Sequence, residues 1–419
     1  MSCANSRSDP SKCQDLLVSS GANVSRRAIS TLLFHLASTL FLFTYPCSVR
    51  VSMKSVLVFD FGGQQAMAGW AGKHKPSHVF SGGVGRPRYK PVMIGAGCRQ
   101  HQVGEQLDGS PLAGLLDITY PIQRGVVMNR EDIELLVNHT LVYTLRADPN
   151  DHPCVVTEPL HCDPAQREWM AQFFIEQLKC QQLRFSPQAN PRASFNPSGV
   201  VVEIGDGLLQ LQAYRPPESQ RIGPGLKIPV GGRDVTEHLL SHLSKSTELQ
   251  QSHWEIVRVM KEKVCQASPD KDAGSSVEYE LPDGSKVHVG AIRWEMYERR
   301  FFAGTNGSLL AMQEGGIAVN LAEVIANYVK ELPVTDEERA AMTTITLIGG
   351  ATLASGFADR LGVELGEYLP GSKVVADHHR MFLPWLAAAE VGSDSELFLS
   401  REEYDEEGNS ALIRKFGTR

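Results

Sequence analysis

The sequence predicts an α/β protein made of two similar halves that face each other across a cleft. Two segments carry this prediction, because each is an apolar strand that ends on an acid and turns through glycine: 56–63 contains Asp60, and 200–207 contains Glu203. Such a turn leaves backbone N–H groups pointing at one place, which suits a phosphate or a metal-bound phosphate. A chain of 419 residues also exceeds what one hydrophobic core usually serves. Two lobes around a nucleotide cleft are therefore expected.

The bulk composition is that of a globular protein. Hydrophobic residues make up 42% of the chain and charged residues 21%, which are ordinary values. The net charge of -7 argues against direct nucleic-acid binding, which favours a basic face. The 8 cysteines form no C-x-x-C pair, so they indicate neither a zinc site nor a disulfide framework. Reduced thiols of the cytosol or nucleus are the expectation.

The segment 1–52 differs from the rest of the chain. No charged residue occurs over 28–49, where leucine and phenylalanine cluster directly after Arg26 and Arg27. Three interpretations stay open: a transit or anchor segment, a natural start at Met53 with the upstream part a wrongly extended gene model, and a folded addition. The apolar stretch is barely long enough to span a bilayer. We therefore leave 1–52 out of the fold prediction and expect no membrane contact unless 28–49 is a real anchor.

Patterns along the remaining chain predict helices, strands and one hinge. An amphipathic helix is expected to begin at 131–137 with its acids at the favourable end. Another is expected over 164–178, where proline opens the first turn. A capping box at 335–338 predicts a short helix, and 344–350 is a third strand that turns through two glycines. The proline-rich segment 186–198 is predicted to be irregular and to serve as the hinge between the lobes.

A series of short motifs, in order along the chain, carries a resemblance to one family. They include 69–72 (GWAG), 84–88 (VGRPR), 232–234 (GRD), 279–284 (YELPDG) and 356–360 (GFADR). In these motifs and their spacing, the chain from about Met53 to Phe416 resembles actin and the actin-related proteins. The resemblance implies the fold shared by actin, Hsp70 and sugar kinases, in which two duplicated α/β lobes enclose a nucleotide.

The resemblance also implies lobe boundaries and a cofactor. The small lobe comprises 53–185 and 383–419, with a second subdomain at about 82–120, and the large lobe comprises 186–382. The implied cofactor is ATP or ADP with Mg, bound between the lobes.

Site residues follow from the family motifs, and each has a predicted role. Asp60 and Glu203 are the predicted cation ligands, acting through water, and Gln188 is the predicted catalytic residue that orients the hydrolytic water. The predicted nucleotide-binding residues are Asp60, Gly62 and Gly63 in the first phosphate loop, Glu203, Gly205, Asp206 and Gly207 in the second, and Gly232, Arg258, Lys261, Glu262, Gly349 and Gly350 around ribose and base.

Departures from the family pattern fall inside this cleft. Met67 stands where actins carry the phosphate-binding lysine, and Gly63 where they carry a serine whose hydroxyl contacts phosphate. The other departures are Gln64 for a glycine, Glu203 for an aspartate, Gln210 for the histidine that helps align water, and Met381 for a lysine near the base. A lost charge-assisted contact to phosphate is worth about 1.5–3 kcal/mol, or one to two decades of affinity. Hydrolysis depends on positioning and is expected to suffer more than binding.

The predicted function is that of a divergent actin-like protein with weak or absent ATPase, acting as a structural or regulatory subunit of a cytoskeletal or nuclear complex. The alternatives are a filament-forming ATPase and a metabolite kinase of the same superfold. Partners are expected to be other actin-family or complex subunits, without nucleic acid, and the expected location is the cytoplasm or the nucleus. Changed residues at 89–91 and 300–302, in regions where actin subunits join, argue against free polymerisation as the default.

Overall fold

The computed structural model describes residues 56–88, 101–107, 115–190, 199–215, 220–267, 276–303, 317–391 and 395–417. The segments 1–52 and 89–91, for which the sequence carried predictions, lie outside these ranges, as does 191–198 of the predicted hinge. No helix within the described ranges combines the length and the apolar character that crossing a bilayer requires.

Strands of the described residues gather into five sheets. In chain order they are β1 (Leu57–Phe61), β2 (Gln65–Trp70), β3 (His78–Ser81), β4 (Val84–Pro87), β5 (Gln102–Val103), β6 (Leu116–Thr119), β7 (Ile122–Gln123), β8 (Val126–Val127), β9 (Cys154–Glu158), β10 (Gln182–Pro187), β11 (Gly199–Ile204), β12 (Leu209–Arg215), β13 (Gln220–Ile228), β14 (Val277–Glu280), β15 (Lys286–Val289), β16 (Thr344–Ile348), β17 (Lys373–Ala376) and β18 (Leu399–Ser400).

Helices alternate with these strands, as the sequence pattern predicts for an α/β protein. In chain order they are α1 (Arg130–His139), α2 (Pro164–Gln172), α3 (Gly232–Leu243), α4 (Trp254–Val264), α5 (Ile292–Phe301), α6 (Leu321–Glu331), α7 (Asp336–Ala341), α8 (Phe357–Tyr368), α9 (Leu383–Val391), α10 (Arg401–Glu407) and α11 (Asn409–Phe416).

Side-chain caps start the helices where the sequence predicts them. Asn129 accepts a hydrogen bond from the Asp132 backbone N–H at 3.2 Å and so opens α1. Asp163 caps α2, which has proline in its first turn. Thr335 and Glu338 form the predicted capping box of α7. These three helix predictions are confirmed.

The two main sheets have the same strand pattern. In the first, β3-β2-β1-β9-β10 run side by side, with β18 added at the edge; in the second, β13-β12-β11-β16-β17 do so. In both, the first two neighbouring pairs are antiparallel and the next two are parallel. The predicted duplicated α/β architecture is confirmed, and each sheet carries one glycine hairpin: β1–β2 and β11–β12.

The first sheet is covered on both faces, because its central strand alternates between two apolar clusters. Leu57, Phe59 and Phe61 of β1 pack into one cluster with α1 and α2. Val56 and Val58 point into the other, which α9 covers. A near-continuous apolar strand is the pattern expected of a strand buried on both faces.

Helix α9 packs against β1 of the first sheet and also contacts the second sheet. Its Trp385 is fully buried and donates from Nε1 to the Val58 carbonyl at 3.1 Å. Leu383 at the start of the helix packs instead with Val201 and Tyr214 of the second sheet. Since α9 contacts both sheets, it holds the ends of their central strands close together.

Candidate functional site

One cavity of ≈ 560 Å³ lies where the β1–β2 and β11–β12 hairpins meet, and helices α3 and α4 form part of its wall. This volume is in the range of small-molecule and cofactor sites. The tips of the two hairpins are close: a Cβ built on Gly63 would lie 3.1 Å from Asp206 Oδ2. The cavity is therefore bounded by both glycine turns that the sequence singles out.

Every residue predicted to bind the nucleotide or the cation lines this cavity except Arg258. Those that do are Asp60, Gly62, Gly63, Gln188, Glu203, Gly205, Asp206, Gly207, Gly232, Lys261, Glu262, Gly349 and Gly350. Arg258 is bonded to Glu255 at 2.9 Å and to Glu262 at 3.0 Å along its own helix. Its position outside the wall follows from these i,i+3 and i,i+4 pairs, which hold the guanidinium along the surface of α4.

The backbone of each hairpin tip is closed by one hydrogen bond and leaves two N–H groups free. Gly62 N–H donates to the Gln65 carbonyl, and Gly205 N–H donates to the Leu208 carbonyl, both at 2.9 Å. Within the described part of the chain, the N–H groups of Gly63, Gln64, Asp206 and Gly207 have no protein acceptor. Four N–H groups at two facing turns form the kind of nest that binds phosphate oxygens.

The two acids of the hairpins are joined by a chain of side-chain hydrogen bonds. Asp60 accepts from the Thr157 hydroxyl and from Gln188 Nε2, the latter at 3.1 Å. Gln210 Nε2 donates to Gln188 Oε1 at 3.3 Å and to Glu203 Oε2 at 2.8 Å. Gln188, predicted from the family resemblance, follows directly on β10 and lies beside Asp60. Thr157, the next-to-last residue of β9, was not among the predicted site residues.

Because both acids are buried, their ionised forms are unfavourable unless a partner compensates for the lost hydration. Asp60 and Glu203 are each 6% exposed. Burial raises the pKa of Asp60, and it raises the pKa of Glu203 to about 8, with the negative charge of Asp60 adding to the effect. A divalent cation near these carboxylates would offset their desolvation and mutual repulsion. Oxygen ligands of this kind fit Mg.

The cationic side chains in the described wall of this cavity are Arg124, Arg167, Lys261 and Lys263. Arg124 and Arg167 line the cavity but are already paired with Asp234 and Glu158, both at under 3 Å. Met67, which stands in the position opposite Asp60, is 7% exposed and packs in the apolar cluster under α9. The residues present fit a nucleotide whose phosphates are held by backbone N–H groups and a cation.

The part of the wall that adjoins the second hairpin contains Lys261 and two glycines, and Gly232 N–H donates to the Gly205 carbonyl at 3.0 Å. Lys261 is buried and donates to the Gly232 carbonyl at 2.9 Å, and burial lowers its pKa. Gly349 has a φ of 92, a conformation that favours glycine, and a Cβ there would lie 2.4 Å from the Ile204 carbonyl. A Cβ on Gly350 would meet nothing within 4 Å, so this glycine faces open space. Met381 completes this part of the wall.

Several contacts cross the mouth of the cavity. Arg124, in the turn between β7 and β8, donates to both carboxylate oxygens of Asp234 on α3, at 3.1 and 2.8 Å. Tyr120 donates to Glu255 Oε1 on α4 at 2.6 Å. The sequence analysis did not anticipate these pairs, because a contact between segments far apart in the chain leaves no local pattern.

The first hairpin contributes a further crossing contact. With its side-chain oxygen turned toward α4, Gln64 accepts from Arg258 Nη1 at 2.7 Å and from Nε at 3.1 Å. Arg258, predicted to contact the nucleotide, is thus engaged at the rim by the residue that replaces a family glycine.

Comparison with known protein families agrees with the fold and the cleft described above. The family model described as Actin matches residues 51–252 and 248–417. These ranges include both hairpins, every residue of the cavity wall, and α9, which closes the first sheet. The chain belongs to the actin family.

Proposed function

We propose that this protein binds an adenine nucleotide with a divalent cation and hydrolyses it slowly or not at all. The single observation that carries this proposal is the composition of the cavity wall at the hairpin tips. Two buried acids and four free backbone N–H groups face the cavity, whereas the position opposite Asp60 is the apolar Met67. The wall thus retains the acids that would bind a cation and the N–H groups that would bind phosphate. It lacks the lysine that would strengthen phosphate binding.

The expected loss of hydrolysis rests on Gln188. A glutamine that orients water must turn its amide toward that water, but a protein partner at each end of the Gln188 amide fixes its direction and leaves one donor hydrogen and one lone pair for water. Nε2 donates to Asp60 at 3.1 Å, and Oε1 accepts from Gln210 at 3.3 Å. Because hydrolysis of this kind depends almost entirely on positioning, a water held less firmly means a slower reaction.

The cation would be held through water by Asp60 and Glu203, and it would supply charge neutralisation for the phosphates. Glu203 reaches one carbon further than the aspartate of the family, and Mg tolerates little change in ligand distance. We therefore propose that Mg binds less tightly than its oxygen ligands alone would suggest.

We propose further that the two main sheets are the cores of the small lobe (53–185 and 383–419) and the large lobe (186–382). The separate apolar clusters on the two sheets support this division. A nucleotide clamp with slow turnover suits a structural or regulatory subunit that joins other actin-family proteins in a cytoskeletal or nuclear assembly. We place such a subunit in the cytoplasm or nucleus.

The test is to purify the full chain, denature it, and identify the nucleotide that is released. Stoichiometric ATP, together with no phosphate release by the native protein over hours, would support the proposal. Turnover at a rate comparable to that of a polymerising actin, or sedimentation that requires ATP, would contradict it in favour of a filament-forming ATPase. An empty cleft that takes up neither ATP nor ADP would reject nucleotide binding altogether.

A further inference from the structure

The end of the cavity beyond α4 contains two buried polar side chains that no predicted role uses. Tyr297 of α5 is 4% exposed, and Cys265, which follows α4, is 6% exposed. Both line the cavity together with Glu262. The three groups are close enough to interact: burial raises the pKa of Tyr297, and the neighbouring Cys265 and Glu262 add to the effect.

The hydroxyl of Tyr297 has no hydrogen-bond partner within the described part of the chain. Two other buried tyrosines of the described chain show what is usual. Tyr214 donates to the Ala189 carbonyl at 2.5 Å, and Tyr328 donates to the Pro224 carbonyl at 3.1 Å. The Tyr297 hydroxyl differs from these two, because it is open to the cavity and is not sealed in the core. Since Tyr297 lines the cavity, a ligand is the natural source of the missing partner.

The ring of Tyr297 is held in place, so its hydroxyl is presented rigidly. The ring lies 6.4 Å from the ring of Phe301 and 6.2 Å from that of Phe357, measured between centroids. The thiol of Cys265 is a weaker polar neighbour, and burial raises its pKa to about 12, so it stays neutral near pH 7. The hydroxyl is therefore the stronger hydrogen-bonding group of the two.

Small residues leave room for a ring beside this hydroxyl. Ala351, Ala354 and Ser355 line the same end of the cavity, and Gly350 faces open space. In the proposed function this end receives the base, because Glu262 and Gly350 lie there while the hairpin tips take the phosphates. A purine carries its main hydrogen-bonding substituent at the six position, at the far side of the ring from the sugar.

We propose that Tyr297 is a specificity-determining residue that hydrogen-bonds the six-position substituent of the bound purine. This inference rests on the proposed nucleotide binding. A phenol both donates and accepts, so it accepts from the amino group of adenine. The neighbouring Glu262 carboxylate at the cavity wall adds a second acceptor for that group.

The test compares two ligands that differ only at the six position. Binding of ADP and of purine riboside 5′-diphosphate, which lacks the amino group, is measured with Mg by calorimetry on the full chain. One neutral hydrogen bond should make ADP bind about two- to tenfold more tightly. Because both ligands carry the same phosphates, weak phosphate contacts cancel in the ratio. Equal affinities for the wild-type protein overturn the inference without the need for a variant.

Substitution then assigns the preference to one residue. Tyr297→Phe should reduce the preference for ADP while leaving the affinity for the unsubstituted purine unchanged; whatever preference remains belongs to Glu262. Tyr328→Phe, which removes a hydroxyl from the same apolar cluster outside the cavity wall, should keep the wild-type ratio. A folded Tyr297→Phe protein that keeps the wild-type ratio of the two affinities would overturn this inference without affecting the proposed nucleotide binding. If the wild-type protein binds neither ligand, the proposed function fails and this inference fails with it.

Discussion

The two glycine hairpins occupy equivalent positions in equivalent sheets, yet their side chains make different contacts. In β1–β2, Asp60 lies opposite Met67, which packs among apolar residues. In β11–β12, Glu203 lies opposite Gln210, which is fully buried and bonded at both ends of its amide. Both halves therefore have the acid and the glycine turn. The residue opposite the acid determines whether a hairpin side chain is available to hydrogen-bond to the carboxylate.

The second hairpin has become the better-connected half of the pair. Gln210 bonds to Glu203 and Gln188 and also accepts from the Leu160 N–H at 2.6 Å. The first hairpin makes no such connection through Met67, and its tip residue Gln64 reaches outward to Arg258 instead. The comparison suggests that the second hairpin fixes the geometry of the cleft and the first determines how firmly phosphate is held.

The largest expected effect on stability comes from the pair between Arg124 and Asp234 on α3. Arg124→Ala leaves the carboxylate of Asp234, which is 3% exposed, without its bidentate partner. The Gly231 N–H remains as a partner at 2.8 Å, and removal of the charged partner from this buried carboxylate should lower the free energy of unfolding by about 3 kcal/mol. Urea denaturation followed by tryptophan fluorescence measures the loss. Arg215→Ala breaks the exposed pair with Glu338 and should cost less than about 1 kcal/mol. Equal losses for the two variants would contradict the prediction.

Restoring a cation to the first hairpin should recover much of the phosphate affinity. Met67→Lys would point an ammonium into the cavity from the position opposite Asp60, and a charge-assisted contact is worth about 1.5–3 kcal/mol. Affinity for Mg-ADP, measured by calorimetry, should therefore rise about 10- to 100-fold. Met67→Leu is the matched control without charge. An affinity of the lysine variant no higher than that of the leucine variant would show that Met67 does not limit phosphate binding.

Gln210→Leu tests the connecting role of the second hairpin. The substitution leaves Glu203 and the buried Leu160 N–H without their partner, so stability should fall by about 1–3 kcal/mol. Met67→Leu at the equivalent position of the first hairpin keeps volume and apolar character and should cost less than about 1.5 kcal/mol. Thermal and urea denaturation of both variants without nucleotide compares them. A larger loss for Met67→Leu would reverse the comparison.

The smallest expected effects come from alanine substitutions at the glycines of the two hairpin tips. A Cβ on Gly207 would lie 2.9 Å from the backbone N of Arg124, whereas the nearest atom to one on Gly63 would be the end of the Asp206 side chain at 3.1 Å, with the Ile122 carbonyl at 3.4 Å. Gly207→Ala should thus weaken nucleotide binding by about 1 kcal/mol, and Gly63→Ala should weaken it less, because a carboxylate can turn aside. Calorimetric titration of both variants decides the order, and a greater loss for Gly63→Ala would contradict it.

Sequence alone predicts the parts of this molecule that repeat or follow a local rule. The acid–glycine turns at Asp60 and Glu203 predict both hairpins, and the capping box at Thr335 predicts the start of α7. The bonds that join the halves leave no such pattern. Gln188 and Asp60 are 128 residues apart, and their contact depends on the register of two neighbouring parallel strand pairs. Tyr297 is one aromatic residue on an amphipathic helix, and only the unmet hydrogen bond distinguishes it.

The bond between Arg124 of the cavity wall and Asp234 of α3 has an expected kinetic consequence. We expect a ligand that leaves between the β7–β8 turn and α3 to require this bond to open. Residence time is then governed by how often the protein opens, as well as by how firmly it grips phosphate. A nucleotide held with modest affinity would still exchange slowly. Since the Arg124 side chain is 35% exposed, added salt should weaken its bond to Asp234 and so shorten the residence time.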